Sequence, residues 1–191
     1  MLTGLKENLL KNWDKMYLII DLEATCWEYP EKEKEIIEIG AVLIDKNYKI
    51  LGEYQSFVRP VKNPILSKFC KDLTSITQEE VDNAEIFPVV FEKFINWVIQ
   101  TAKCKIEDIT LCSWGYYDKK QLMKDCQFHN IKYPFITHRS IKHEFAKKRR
   151  TKPVGLKKAL EICGIKFEGT HHRALDDAKN IAKIFIKEKW K

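Results

Sequence analysis

Four acidic residues stand where predicted buried segments end or begin, and their types and spacing suit metal chemistry. Asp21 and Glu23 follow the apolar run 17–20, and residues two apart on an extended strand point to the same side. Asp118 follows a predicted strand and starts a helix, and Asp177 lies near the start of the last predicted helix. Carboxylates that converge on one edge of a sheet are hard oxygen ligands of the kind that Mg²⁺ and Mn²⁺ prefer.

Each acid taken alone also has an ordinary structural interpretation. An acidic pair at a strand end is often a solvated loop start, and Asp118 favours a helix N-terminus through the helix dipole. Arg173 and Asp177 have the i, i+4 spacing of a surface ion pair, and His172 alone suits a capping or packing role. The interpretation as a site gains weight because the pieces occur in order: a strand-end pair, a strand-end acid, and a histidine five residues before an aspartate.

The hydrophobic pattern predicts the elements that must position these acids. Strands are predicted near 17–20, 35–44, 49–58 and 108–114, and helices near 88–100, 119–128, 140–147, 156–163 and 174–187. Thr77 and Glu80 have the spacing of a capping box, and Thr74 is a second candidate N-cap. Three consecutive strands followed by alternating strands and helices predict an α/β fold with a sheet of mixed direction.

Length and composition predict one globular domain. The chain has 191 residues, of which 45% are hydrophobic and 32% are charged, so it can bury a core without staples. Residues 1–15 are interpreted as an N-terminal leader and residues 16–191 as a single domain. The sequence has no apolar run near the ~20 residues of a membrane span and no CxxC pair, so we expect no membrane partner, no structural zinc and a cytoplasmic location with reduced thiols.

Charge is divided unevenly along the chain. Residues 1–100 hold 12 Lys and Arg against 17 Asp and Glu, a net of −5, whereas residues 101–191 hold 22 against 10, a net of +12. A basic half beside an acidic half suits a polyanionic partner together with a cation site. Uneven decoration of a solvated surface is the plain alternative.

Five short motifs carry a resemblance to a known family. They are DLEATC at 21–26, FC at 69–70, LTSITQ at 73–78, SWG at 113–115 followed by Asp118, and HRALDDA at 172–178. Together they resemble the DEDDh 3′→5′ exonucleases, the superfamily of the proofreading exonucleases and ribonuclease T. The first motifs are most similar to the Eri-type branch, which trims histone mRNA, ribosomal RNA and small RNAs. The similarity covers roughly residues 16–187.

The resemblance implies a fold and a set of catalytic residues. The fold is a ribonuclease H-like α/β sheet whose first three strands are antiparallel and whose later strands are parallel, flanked by helices. The family places two divalent ions, Mg²⁺ or Mn²⁺, on four acids, here Asp21, Glu23, Asp118 and Asp177, with Asp21 expected to bridge. His172 matches the family's general base, and an imidazole suits that role because its pKa lies near working pH.

Two further groups of residues are expected to contact substrate. The resemblance implies a wedge against the last base and sugar, formed by Leu73, Thr74 and Ile76. The basic run at 147–150 is expected to hold the phosphate backbone, although a solvated loop explains it equally well. That run consists of Lys147, Lys148, Arg149 and Arg150.

The resulting expectation is a metal-dependent 3′→5′ exonuclease that removes nucleotides from single-stranded RNA and releases nucleoside 5′-monophosphates. A proofreading or repair-type exonuclease acting on DNA is the alternative with the same chemistry, because only the 2′-OH separates the two polymers. A catalytically silent RNA-binding adaptor is a second alternative. A serine hydrolase is disfavoured because the sequence contains no G-x-S-x-G motif.

Overall fold

A five-stranded mixed sheet is the centre of the protein. The computed structural model describes residues 16–29 and 32–189, so the predicted leader 1–15 lies outside the described residues. The strands are β1 (Met16–Ala24), β2 (Ile36–Ile44), β3 (Ile50–Phe57), β4 (Ile109–Ser113) and β5 (Thr137–Ser140). Their order is β3-β2-β1-β4-β5; β1, β2 and β3 pair antiparallel, and β4 is parallel to both β1 and β5. The predicted change from antiparallel to parallel pairing is confirmed.

Helices cover both faces of this sheet. They are α1 (Lys68–Thr74), α2 (Gln78–Asp82), α3 (Phe87–Ala102), α4 (Tyr117–Phe128), α5 (Ile141–Arg149), α6 (Leu156–Cys163) and α7 (Ala174–Glu188), with a 3₁₀ turn at Ile106–Asp108. Gly164 ends α6 with a φ of 62°, the left-handed conformation that favours glycine after a helix. Within the described residues, the helices are all too short or too polar to cross a membrane.

The segment 68–82 and the last strand differ from the sequence prediction. Thr77 caps α2 in a complete capping box with Glu80, as predicted. Thr74 is not an N-cap: it is the last residue of α1, and its hydroxyl donates to the Cys70 carbonyl at 2.8 Å. Strand β5 was not predicted, because its four residues are mostly polar and too few to show an alternating pattern.

The alternation of side chains along β1 decides which face carries the acids. Leu18 and Ile20 belong to the core layer under α3 and α4, whereas Tyr17 and Ile19 belong to the layer under α5, α6 and α7. Burying one such aliphatic side chain contributes about 1.5–3 kcal/mol, so the strand cannot turn over without losing both layers. Asp21 continues the series 17, 19, and its side chain therefore faces the α7 side.

Candidate active site

The first two acids lie at the end of β1, on the face that α7 covers. Asp21 pairs with Gly40 of β2, and Glu23 pairs with Glu38. Because the sheet places directly opposed residues on the same face, these four positions form one small patch near the C-terminal end of β1. The sequence predicted that the Asp21 and Glu23 carboxylates share a side, and the structure places them so.

Gly40 allows the N-terminus of α7 to lie directly on this patch. A Cβ atom added to Gly40 would stand 2.1 Å from the carbonyl carbon of Ala174 and 2.2 Å from the amide nitrogen of Leu175. Such distances are impossible between non-bonded atoms, so only glycine permits the helix to approach the sheet this closely. This approach brings Asp177, in the first turns of α7, over Asp21 and Glu23.

Three carboxylates converge as a result. One oxygen each of Asp21, Glu23 and Asp177 lie within 4.8 Å of one another. The side chains of Glu23 and Asp177 are buried, and that of Asp21 is half-buried. Three anionic oxygens at this separation are a suitable ligand set for a hard divalent cation.

Asp118 joins the cluster from α4. Strand β4 pairs with β1 only as far as Ile19, so the backbone of β1 beyond this point has no strand on that side. The Asp118 Oδ1 accepts a hydrogen bond from the Leu22 amide at 3.2 Å, between the two β1 acids. Asp118 thus takes the place of a strand partner, which fixes α4 against the acidic end of β1.

Burial and mutual repulsion disfavour the ionised forms of these acids. Burial, and then the charges of Asp118, Glu23 and Asp177, raise the pKa of Asp21 well above its usual value. Burial, and then Asp177, Glu38 and Asp118, raise the pKa of Glu23 to about 8. Burial also raises the pKa of Asp118 to about 6, against the lowering effect of its hydrogen bonds. A cluster of this kind is relieved by protons or by a bound cation, so the residues fit a divalent metal.

Two adjacent histidines lie beside Asp177. The backbone N–H of His172 donates to Asp177 Oδ2 at 2.9 Å, and the Nδ1 of His171 lies 3.0 Å from Asp177 Oδ1. The two rings are 4.0 Å apart, and His172 has a φ of 62°, in the left-handed region. Burial and His171 lower the pKa of His172, which keeps that imidazole neutral near pH 7. The sequence singled out His172; the contact of His171 with Asp177 was not predicted.

Glu38 is a second residue that sequence reasoning missed. Its carboxylate is 1% exposed, accepts a hydrogen bond from the Ala174 amide at 3.0 Å, and forms an ion pair with Arg173 at 3.3 Å. These bonds hold the first residues of α7 to β2. Its position two residues before Gly40 places it on the same face of β2, but nothing in the local sequence shows that α7 lies above this face.

The residues predicted to contact substrate fall into different environments. Leu73 is 39% exposed on α1, so its side chain is available at the surface. Thr74 and Ile76 are at most 1% exposed; the Thr74 hydroxyl also accepts from the Ile76 amide at 3.2 Å. Their side chains therefore stabilise the turn after α1 and do not line its surface. A contact between substrate and any of the three stays a prediction.

The basic run lies far from the acids. Lys147, Lys148 and Arg149 end α5, and Arg150 follows it. Lys148 and Arg149 form ion pairs with Glu188, at the end of α7. Glu188 is eleven residues after Asp177 on the same helix, which corresponds to about 16 Å along the helix axis. The acids converge at one end of α7, and the basic run is at the other.

Comparison with known proteins identifies the family. The family model described as "Exonuclease", named for ribonuclease T, matches residues 18–185, which include all four acids and both histidines. The chain belongs to this exonuclease family. The resemblance predicted from the motifs is thereby confirmed, and so is the ribonuclease H-like class of the fold.

Its relatives include exoribonucleases that are longer than this chain. The chain is 38% identical to 3′-5′ exoribonuclease 1 of Homo sapiens over 195 residues, which is 96% of this chain and 55% of that protein. It is 34% identical to 3′-5′ exonuclease eri1 of Schizosaccharomyces pombe, with coverage of 89% and 66%. The chain spans about half the length of the human relative that it matches.

A solved structure of the same family superposes closely. The nuclease domain of 3′hExo, described as a DEDDh family member bound to rAMP, has a TM-score of 0.83 and 35% identity, with 92% of each chain covered. A structure described as 3′-end specific recognition of a histone mRNA stem-loop by 3′-exonuclease gives a TM-score of 0.83 at 32% identity, covering 98% of this chain and 70% of that one.

Proposed function

We propose that this chain is a metal-dependent 3′→5′ exonuclease that acts on single-stranded RNA and releases nucleoside 5′-monophosphates. The observation that carries the proposal is the convergence of the Asp21, Glu23 and Asp177 oxygens within 4.8 Å, at the edge of a sheet that the exonuclease family shares. The family relationship supports the phosphodiester as the bond that is cut.

The acids Asp21, Glu23, Asp118 and Asp177 are proposed to hold two Mg²⁺ or Mn²⁺ ions, to which each would contribute carboxylate oxygens. Bound there, divalent ions supply charge neutralisation at the phosphate and acidify a water molecule. Without them, the cluster repels a phosphodiester, which is itself an anion. Hydrolysis should therefore depend on divalent metal throughout the pH range in which the acids are ionised.

His172 is proposed as the general base. Its lowered pKa leaves the imidazole free to accept a proton from the attacking water near neutral pH. The water oxygen forms a bond to phosphorus, the bond from phosphorus to the 3′-oxygen of the penultimate nucleotide breaks, and that oxygen takes up a proton. The products are a nucleoside 5′-monophosphate and a strand that is one nucleotide shorter, with a new 3′-OH.

For the substrate contacts, Leu73 is proposed to lie against the terminal base, on a turn that Thr74 and Ile76 hold in place. Lys147, Lys148, Arg149 and Arg150 are proposed to contact only nucleotides distant from the cut, since they lie at the far end of α7 from Asp177. RNA is preferred to DNA because the human relative, 38% identical over 96% of this chain, is named as an exoribonuclease.

A 5′-labelled oligonucleotide tests the activity. With Mg²⁺ or Mn²⁺, single-stranded RNA should give a ladder that shortens one nucleotide at a time, and EDTA or a 3′-phosphate should abolish it. Matched DNA distinguishes the proofreading-type alternative, which would degrade DNA at least as fast. Internal fragments would contradict the exonuclease direction. A protein that degrades no strand, and that shows no binding of Mg²⁺ or Mn²⁺ in calorimetry, would be the silent adaptor.

A cytoplasmic location is also proposed. None of the six cysteines, all of which lie within the described residues, is bonded in a disulfide. Reduced thiols are usual in the cytosol. Fractionation followed by immunodetection tests this, and recovery of the protein from an exported or extracellular fraction would contradict it.

A further inference from the structure

A lysine-lined groove lies next to the acid cluster and has no role in the chemistry derived above. It runs between the segment 32–35, Lys62 and the outer face of α4, and has a volume of about 870 Å³. Its lining includes four lysines and two aromatic rings: Lys32, Lys34, Lys62, Lys124, Tyr117 and Phe128. A groove of this size accommodates several groups of a polymer and is within the range of ligand sites.

Two of the three carboxylates in this lining, those of Glu35 and Asp125, are turned inward and bound to backbone amides, whereas that of Glu33 is 78% exposed and pairs with Lys62. Glu35 is 4% exposed and accepts hydrogen bonds from the amides of Val61, Lys62 and Asn63, at 2.8–3.0 Å. Asp125 is 3% exposed and accepts from the Ile36 amide at 3.1 Å. Because these anions are already satisfied and covered, they stabilise the walls of the groove and present little negative charge to a ligand.

The cations, in contrast, are at the rim. The Lys34 ammonium lies 5.6 Å from the centre of the Tyr117 ring, and the Lys62 ammonium lies 3.8 Å from that of Phe128. Lys62 also contacts Glu33. Lys34 and Lys124 occur in none of the ion pairs found among residues 16–29 and 32–189. Cation–π contacts keep an ammonium near a fixed place without neutralising its charge.

The groove adjoins the acid cluster through the start of α4. Tyr117 begins α4 and forms one wall of the groove, and the next residue is Asp118, which is bonded to the Leu22 amide between the two β1 acids. Gln121 and Lys124 follow on the same side of α4 and extend the lining away from the cluster. A strand whose last phosphodiester lies at the acids thus meets lysines within about two helical turns.

We infer that this groove holds the backbone of the substrate strand on the 5′ side of the scissile bond, with Lys34 and Lys124 as its main phosphate contacts. The inference rests on the proposed function for the identity of the strand. It assigns the strand a path along α4, whereas the basic run 147–150 lies at the C-terminal end of α7, away from the acids.

Salt-dependent binding tests the inference without any hydrolysis. The ligand is a 5′-fluorescein RNA of about twelve nucleotides, followed by anisotropy with EDTA present. The variant is Lys34→Ala/Lys124→Ala, and the charge-matched control is Lys49→Ala/Lys93→Ala, since Lys49 precedes β3 and Lys93 lies on α3. Single-strand binding has a logarithmic salt slope of about −0.7 per phosphate contact. Loss of two contacts should make this negative slope shallower by about 1.4 and should raise Kd on the order of tenfold at about 50 mM salt.

The ratio of the Kd of the groove variant to the Kd of the parent should fall about sevenfold between about 50 and 200 mM salt. This factor follows from a slope difference of about 1.4 over a fourfold change in salt concentration. Lys34→Arg/Lys124→Arg should bind as the parent does, because charge is retained. Neutral methylphosphonate linkages in the 5′ part of the RNA should weaken the parent but add little to the alanine pair.

Three results would overturn the inference: a groove variant indistinguishable from the Lys49/Lys93 control, an arginine pair as weak as the alanine pair, or full additivity with the neutral linkages. These outcomes are separate from the fate of the proposed function. A protein that degrades RNA but binds equally well without Lys34 and Lys124 refutes the groove alone. A protein that uses the groove for strands but never cuts them refutes the exonuclease alone.

Discussion

Gly40→Ala should disable the proposed metal centre although it changes none of the proposed ligands. The added Cβ would stand 2.1 Å from the Ala174 carbonyl carbon, whereas ordinary contact begins near 3.4 Å. The obstacle is backbone on both sides, so α7 must move outward by roughly 1.3 Å, and Asp177 moves with it. Metal sites tolerate deviations of about 0.2 Å in ligand distance, so a displacement of this size separates Asp177 from Asp21 and Glu23 as a shared ligand set.

We expect Gly40→Ala to lower kcat/KM on single-stranded RNA about 100-fold, the usual effect of a 1 Å misplacement. The half-saturating Mg²⁺ concentration should rise in parallel. Overpacking of this kind costs about 2 kcal/mol, which lowers Tm by about 4–8 °C in a chain of this length. The assays are RNA hydrolysis across a Mg²⁺ titration and thermal unfolding by circular dichroism.

Gly155→Ala is the matched control for this experiment. A Cβ atom at Gly155 meets nothing within 4 Å, and the position carries no positive φ. Gly155→Ala should keep the activity of the parent, and its free energy of unfolding should fall by less than about 1 kcal/mol. If Gly40→Ala retained activity and Tm within the range of this control, the contact of α7 with β2 would not position Asp177, and the reasoning would be refuted.

Three further predictions concern the acids and the histidine. Asp21→Asn should abolish hydrolysis yet raise the Tm of the metal-free protein, because it relieves repulsion in the cluster; a lower Tm in EDTA would contradict this. Lowering the pH from about 8 to about 6 should stabilise the metal-free protein. In this range Glu23 binds a proton in the folded state, where its pKa is about 8, but not in the unfolded state, where its pKa is about 4.5. A free energy of unfolding in urea that rose with pH over this range would contradict this environment of Glu23. His172→Ala should reduce the single-turnover rate about 100-fold or more while calorimetric metal affinity stays within a few-fold, and an unchanged rate would exclude His172 as the base.

The sequence was informative where a residue's function depends on its place in one element. Asp21, Glu23, Asp118 and Asp177 each lie at a strand end or helix start, and such places can be predicted from local periodicity. The antiparallel pairing of the first three strands also agrees with the prediction, because consecutive strands joined by short connections tend to pair antiparallel.

The sequence was less informative where function depends on contact between distant elements. Gly40 and Glu38 position the start of α7, which lies directly above them. No local sequence pattern predicts contact with a helix that is more than 130 residues away in the chain. The basic run 147–150 is a similar case. Its charge is evident from the sequence, but its distance from Asp177 depends on how α5 packs against the end of α7.

Asp177 combines two tasks that mutagenesis of that position cannot separate. One oxygen receives the His172 amide and the other meets the His171 ring, so the carboxylate closes a small loop as well as joining the acid cluster. Deleting it would release the His171 ring and the His172 backbone together with the loss of a proposed metal ligand, and the resulting inactivity would measure neither effect alone. Asp21 offers the cleaner probe, because within the described residues its carboxylate makes no hydrogen bond that closes a loop.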